Sequence, residues 1–142
     1  MRIFLFISIM LVFGYTGNAQ TKTFNETQEV LKKGLMGKQL NAHNSNDTQK
    51  KKIASVQITE PGEVTIEDAD GNVLIGFEII KRVIEKDFRY ENGQLKISRG
   101  DSSWGIDMKQ NEALKMIEAF TELKKVCGRR WKSISESLEH IK

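Results

Sequence analysis

The feature that most constrains the fold is the alternation of apolar and polar residues between Ile53 and Asp107. Apolar side chains recur at every second position in short runs, and turn-forming pairs separate several of them at Pro61-Gly62, Asp70-Gly71 and Asn92-Gly93. The runs are Val56–Ile58, Val64–Ile66, Val73–Ile79, Phe88–Tyr90, Leu95–Ile97 and Trp104–Ile106. A period of two is typical of a strand with one buried face, and such pairs join antiparallel strands. The stretch therefore predicts an antiparallel meander with one wet face.

The turns also predict which residues face each other across the strands. Two-residue loops at 70–71, 92–93 and 100–101 each place apolar residues opposite apolar residues. The predicted pairs are Val64–Phe77, Ile66–Ile75, Phe88–Ile97, Tyr90–Leu95, Leu95–Ile106 and Ile97–Trp104. The Pro61-Gly62 turn differs, because a two-residue loop there would set Ile58 against Thr65, so we expect an odd-length loop or a bulge.

Helical patterns flank this region. Residues 25–36 predict a helix that Asn25 caps and Gly37 ends, and residues 111–127 predict a second helix with a buried stripe. Gly128 is expected to end the second helix, and a separate helical tail is expected over 129–142. Residues 41–52 are almost entirely polar, so we expect a linker there.

The predicted fold class is α+β, with an antiparallel meander of about six or seven strands. An N-terminal helix precedes the sheet, and a C-terminal helix packs on it, because the 111–127 stripe follows the sheet directly. A bent sheet closed by a C-terminal helix is similar in outline to a pleckstrin-homology-like roll. This likeness is one of architecture, without a sequence motif, and it implies no ligand.

The N-terminus has the layout of a cleaved secretory signal. Met1-Arg2 is followed by the apolar run Ile3–Phe13, which only Ser8 interrupts, and by Gly17-Asn18-Ala19. Cleavage after Ala19 would leave a single domain over residues 20–142, exported to the periplasm or outside a bacterial cell. The alternative is a retained anchor, although the run is shorter than the roughly 20 residues that cross a bilayer.

The charge and the single cysteine limit the partners and the cross-links. The net charge of +3, which loss of Arg2 would reduce by one, is too small to predict nucleic-acid binding by itself. Cys127 has no second cysteine in the chain, so no internal disulfide can form. It lies on the predicted helix stripe, where core packing is expected, with intermolecular pairing as the alternative.

No pattern in the sequence predicts catalysis, a metal or a cofactor. His43 lies in the expected linker and His140 near the C-terminus, and neither belongs to a ligand or triad spacing. The acidic turn 68–72 lacks the oxygen ligands of a calcium loop and fits a hairpin. A hydrolase that uses only carboxylates stays open as an alternative, because such an enzyme needs no motif.

Two segments are candidate binding sites. The first is a basic segment around a tryptophan, which predicts an anionic partner and consists of Lys124, Lys125, Arg129, Arg130, Trp131 and Lys132. Its structural alternative is favourable charge at a helix C-terminus. The second is Arg99-Gly100-Asp101, the cell-adhesion tripeptide, at a predicted hairpin tip. Its structural alternative is that Gly100 and Asp101 are simply turn residues.

The sequence therefore favours a small exported binding or interaction module over an enzyme. An envelope component or another exported protein is the expected partner, and an anionic envelope component suits the basic segment. Two alternatives remain at this point: a small secreted hydrolase, and an inhibitor of a secreted enzyme that acts through a loop such as 99–103.

Overall fold

The computed structural model describes residues 23–44 and 47–139. The elements are α1 (Phe24–Leu35), β1 (Gln39–Asn44), β2 (Asp47–Lys52), β3 (Ser55–Ile58), β4 (Glu63–Glu67), β5 (Val73–Glu78), a 3-10 helix (Ile79–Lys81), α2 (Ile84–Asp87), β6 (Phe88–Glu91), β7 (Gln94–Arg99), β8 (Ser102–Asp107) and α3 (Gln110–Glu139). The predicted α+β class is confirmed. The signal sequence, its cleavage site and His140 lie outside the described residues. None of the described helices is long and apolar enough to cross a membrane.

The strands form two antiparallel sheets rather than one. One sheet has the order β2-β1-β8-β7-β6, and the other has the order β3-β4-β5. All six apolar pairs predicted from the turns are observed. Ile58 pairs with Val64, so the Pro61-Gly62 turn has the odd length that the register requires.

The turn between β4 and β5 is longer than the predicted two-residue loop. Ile66 pairs with Ile75 as expected, but the register shifts at the next residue, where Glu67 pairs with Val73. The Asp68 carboxylate explains the shift, because its Oδ1 accepts hydrogen bonds from the backbone N–H groups of Asp70 and Asn72 at 3.0 and 2.9 Å. This side chain holds residues 68–72 as a single hydrogen-bonded loop.

The prediction of a polar linker at 41–52 was wrong. These residues belong largely to β1 and β2, which pair with each other while β1 also pairs with β8. β2 is an edge strand that contacts only β1 in its sheet, so it needs no apolar residue, and its lysines at 50–52 suit an exposed edge. These two strands raise the strand count from the predicted six or seven to eight.

The predicted break at Gly128 was also wrong: residues 129–139 are helical, as predicted for the tail, but they continue the preceding helix without interruption. One helix, α3, runs from Gln110 to Glu139. A glycine inside a helix costs only about 1 kcal/mol, and the left-handed conformation that a terminating glycine adopts is absent at Gly128.

The N-terminal helix differs from the prediction in the residue that caps its start. Thr23 caps it, because its Oγ1 accepts the N–H of Glu26 at 3.2 Å, and Gly37 follows its end with φ of 82°.

The core lies where both sheets meet the first half of α3. Phe77 from β5, Phe88 from β6 and Phe120 from α3 form an aromatic cluster with ring centroids 4.8–5.9 Å apart. The helices α1 and α3 approach closely at Gly34, where an added Cβ would lie 2.3 Å from the Met116 side chain. The glycine that weakens the apolar pattern of α1 therefore makes room for this contact.

Candidate functional site

The C-terminal part of α3 extends beyond the core. In this part, residues 128–139, every described side chain from Arg129 onward is exposed. Trp131, Ile134 and Leu138 are 58%, 48% and 60% exposed. We call residues 128–139 the α3 extension. Large apolar side chains grouped on one exposed helix face are typical of an interaction surface.

The apolar stripe of the extension continues the stripe that packs in the core. Trp131, Ile134 and Leu138 follow the buried Cys127 at intervals of four, three and four residues, which places all four on one side of the helix. A small recess of about 120 Å³ lies at the start of the exposed part, lined by Glu60 and Pro61 and by Cys127, Trp131 and Ile134 of the helix. Burial of the Cys127 side chain confirms its expected place in the core.

The predicted basic segment divides into two parts. Lys124 is half-buried, and its Nζ donates a hydrogen bond to the Arg82 carbonyl. Lys125 forms an ion pair with Glu122 at 3.6 Å, whereas Arg129 and Lys132 are exposed. The Arg130 side chain lies outside the described residues, and Trp131 is on the exposed stripe.

Because the helix continues past this basic segment, favourable charge at a helix C-terminus does not explain the segment. Helix-terminal charge effects act within the last turn, and the last turn of α3 contains no basic residue. Lys124 to Lys132 instead lie inside the helix. At about 100° per residue, Lys125, Arg129 and Lys132 lie roughly 130–170° from the centre of the apolar stripe. The extension is therefore amphipathic, with an apolar side and a charged side on which Arg129 and Lys132 lie together with Glu136.

The excess positive charge of the chain is concentrated at this end. Of 22 Lys and Arg and 19 Asp and Glu, residues 124–142 contain six and two, so this segment carries +4 and residues 1–123 carry −1. A local surplus of this kind creates a positive field that a nearly neutral remainder does not cancel.

The second predicted site, Arg99-Gly100-Asp101, forms the tip between β7 and β8. The three residues are exposed, and Arg99 pairs with Ser102 across a two-residue turn. The Arg99 guanidinium is held, however, because its Nη1 donates to the Gly76 carbonyl of β5 at 2.8 Å. This bond ties the five-stranded sheet to the outer edge of the three-stranded sheet. Recognition of the tripeptide stays a prediction.

A cleft that the sequence did not predict lies beside Arg99. We call it the β5 cleft: it has a volume of about 390 Å³ and runs along β4 and β5 to the 3-10 helix. Its lining residues with charged side chains are Glu63, Glu78, Lys81, Arg82 and Arg99. The register predicts that Glu63 and Glu78 face each other, but no sequence pattern brings Arg82 and Arg99 to the same place.

Two further acidic residues, Asp68 and Asp107, stabilise the fold through hydrogen bonds. Asp107 Oδ1 accepts hydrogen bonds from Asn41 Nδ2 at 3.0 Å and from Gln94 Nε2 at 2.8 Å. The hydrogen bond from the Asn72 backbone lowers the pKa of Asp68, with smaller help from the Asn72 side chain and the Asp70 backbone. Among the described residues, no group of three or more His, Cys, Asp or Glu side chains could hold a metal ion.

Comparison with known proteins finds similarity to a solved structure. No protein-family model and no curated protein matches this chain. The RAN binding domain from the nuclear pore complex component NUP2 from Ashbya gossypii is similar over 63% of this chain and 92% of that one, with 13% identity and a TM-score of 0.44.

Proposed function

We propose that this chain is a small exported binding domain whose α3 extension binds the anionic surface of a lipid membrane. The observation that supports this function is the amphipathic extension. The stripe of Trp131, Ile134 and Leu138 is exposed, and the opposite side carries Arg129 and Lys132 beside Glu136, within a segment that has surplus positive charge. Helices of this composition lie in the membrane interface, with the apolar side in the headgroup region and the basic side attracting anionic lipid.

The sizes of the two contributions predict that both are needed. Burying one large apolar side chain contributes about 1.5–3 kcal/mol, less here because the stripe is already partly covered. Each Lys or Arg near an anionic surface contributes about 1 kcal/mol. Neither term alone gives tight binding, so we expect affinity to depend on the stripe and on the charges, and to fall with added salt.

The test is sedimentation with vesicles of phosphatidylglycerol and phosphatidylcholine, compared with vesicles of phosphatidylcholine alone. We expect binding only to the anionic vesicles. Replacing Arg129, Arg130 and Lys132 by Ser should weaken binding by about 100-fold, because roughly 1 kcal/mol is lost for each of the three charges. Replacing Trp131, Ile134 and Leu138 by Ser should have a similar effect.

A matched control removes the same charge elsewhere. Lys50, Lys51 and Lys52 are exposed on the edge strand β2, and their replacement by Ser should change binding much less. Equal losses in the two charge variants would contradict a role for α3, because net charge alone would then explain binding. Trp131 provides a direct signal: with Trp104 changed to Phe, its fluorescence should shift to shorter wavelength on anionic vesicles.

Export is tested separately. The protein expressed with its own N-terminus in a bacterial host should appear in the periplasm or the medium with the mass of residues 20–142. Recovery of uncleaved protein in the cytoplasm would contradict export and leave the vesicle measurements unaffected.

A further inference from the structure

The β5 cleft lies along the open edge of a strand. Within the described residues, β5 pairs with β4 on one side and with no strand on the other. The Ile79 N–H donates to the Gly62 carbonyl at 2.9 Å, so these two residues form a hydrogen-bonded pair. Such pairs alternate along an antiparallel ladder, and the pair of Thr65 and Gly76 is therefore not hydrogen-bonded. The N–H and C=O groups of Gly76 point away from β4, where an extended peptide can use them.

The cleft is large enough for a short peptide. Its volume of about 390 Å³ lies in the usual range of roughly 300–1,000 Å³ for small-molecule sites. Gly76 is part of its lining, and an added Cβ there would approach nothing closer than 3.8 Å. The fold itself therefore does not require glycine at this position, while the missing side chain leaves the cleft open.

Most of the charges around the cleft are already paired. Lys81 Nζ lies 2.7 Å from Glu78 Oε2, and Arg82 Nη1 lies 3.9 Å from Asp87 Oδ2. Each pair sums to zero, so neither selects the charge of a ligand.

Two exposed side chains of opposite charge remain in the lining, Glu63 and Arg99. Among the described residues, the Glu63 carboxylate forms no ion pair and accepts no hydrogen bond. Arg99 Nη1 donates to the Gly76 carbonyl at 2.8 Å, which uses one of the five N–H donors of a guanidinium. The cleft thus offers acceptors for a cation and donors for an anion, with a total charge of zero.

The spacing of these two groups determines the length of the ligand. Glu63 is the Cα partner of Glu78, whereas Arg99 is bonded to Gly76, two residues earlier on β5. Two residues of a strand span about 6.8 Å. An extended dipeptide spans about 7 Å, whereas a single amino acid spans only about 3.5 Å.

We infer that the β5 cleft binds a free dipeptide in its zwitterionic form. The dipeptide carboxylate accepts hydrogen bonds from Arg99, its ammonium group donates to Glu63, and its backbone lies antiparallel along the edge of β5. A ligand with one charge of each sign keeps the total charge of the cleft at zero. The inference is independent of membrane binding, because none of the described residues of α3 lines this cleft.

The probe is alanylalanine, at about pH 6.5, where its α-amino group is protonated. Its controls each lack one charge: N-acetylalanylalanine has no ammonium group, and alanylalaninamide has no carboxylate. In a titration followed by nitrogen-15 NMR of the full chain, alanylalanine should shift the amide signals of Thr65, Gly76 and Arg99. Both controls should bind about tenfold more weakly, because each loses one charge-assisted hydrogen bond.

Variants of the two charged residues show which end of the dipeptide each one binds. Arg99→Gln should weaken binding of alanylalanine about tenfold and leave binding of alanylalaninamide within about twofold. Glu63→Gln should weaken alanylalanine equally and leave N-acetylalanylalanine within about twofold. Gly76→Val should abolish binding of all three by filling the cleft. Glu29→Gln, an exposed carboxylate on α1, is the matched control and should change nothing.

Three results would overturn the inference. The first is equal affinity for alanylalanine and either blocked form, which would mean that one charged end has no partner. The second is tighter binding of alanine than of alanylalanine, since a single amino acid is too short to reach both groups. The third is the absence of amide shifts at the cleft.

Discussion

The two halves of α3 share one apolar stripe but differ in what covers it. From Ala113 to Cys127 the stripe is buried against α1 and the aromatic cluster, whereas from Trp131 to Leu138 it is exposed. The spacing is the same on both sides, so the residues of the helix do not decide burial. Burial of the stripe ends at Cys127, beside Pro61 of the turn between β3 and β4. An apolar period thus identifies a face that needs a partner, while the rest of the fold determines whether that partner is internal.

The sharpest test of this difference truncates one leucine in each half. Leu123→Ala removes a fully buried side chain, and we expect a loss of about 2–5 kcal/mol in the free energy of unfolding. Leu138→Ala changes a side chain that is 60% exposed, and we expect a change within about 0.5 kcal/mol. Urea denaturation of both variants measures the two values. A large loss in Leu138→Ala would mean that the extension packs on the protein itself.

The next test compares two glycines near Cys127: Gly62, which lies against it in space, and Gly128, which follows it in the helix. Gly62 has φ of 98°, and an added Cβ would lie 2.7 Å from Ile79 Cγ2 and 3.3 Å from Cys127 Sγ. Gly128 has open space around it within the helix. We expect Gly62→Ala to destabilise the fold by about 1–3 kcal/mol, through strain and crowding.

Gly128→Ala should act in the opposite direction and stabilise the helix by about 0.5–1 kcal/mol, because alanine loses less backbone entropy than glycine. Thermal unfolding followed by circular dichroism measures both changes. Changes in stability of opposite sign in Gly62→Ala and Gly128→Ala would show that the buried half of α3 ends at Cys127. A destabilising Gly128→Ala would instead show that the helix bends or packs at that residue.

The sequence predicted the parts of the fold that depend on neighbouring strands. Opposing pairs such as Ile66–Ile75 and Ile97–Trp104 follow from a turn and a period of two, and both are observed. The length of the loop at 68–72 did not follow, because it depends on hydrogen bonds made by the Asp68 side chain.

The remaining errors have physical causes that a local pattern does not contain. β2 pairs with only one strand, so it has no apolar period to detect. The helix passes Gly128 because one glycine is too small a cost to end it. The β5 cleft was missed because Arg82 and Arg99 come from separate elements and meet only through the tertiary fold.

The smallest expected effect on stability concerns the N-terminal end of α3, where Glu112 lies. Glu112 Oε2 accepts hydrogen bonds from Lys38 Nζ at 2.8 Å and from the Lys109 backbone at 3.2 Å, which ties the start of the helix to the start of β1. This tie predicts that the stability of the fold depends on pH through the start of the helix.

The hydrogen bond from Lys38, with that from the Lys109 backbone, lowers the pKa of Glu112 below its ordinary value of 4.5. A lowered pKa means that the charged form favours the folded state. The stabilisation is therefore complete above pH 4.5 and is lost as the pH falls through the folded-state pKa. Glu112→Gln should be less stable than the parent protein at pH 7, and the two should converge in acid. Glu136→Gln, on the extension, should follow the parent protein throughout. Urea midpoints between pH 7 and pH 3 measure the three curves, and a constant difference between Glu112→Gln and the parent would exclude this ion pair as the anchor of α3.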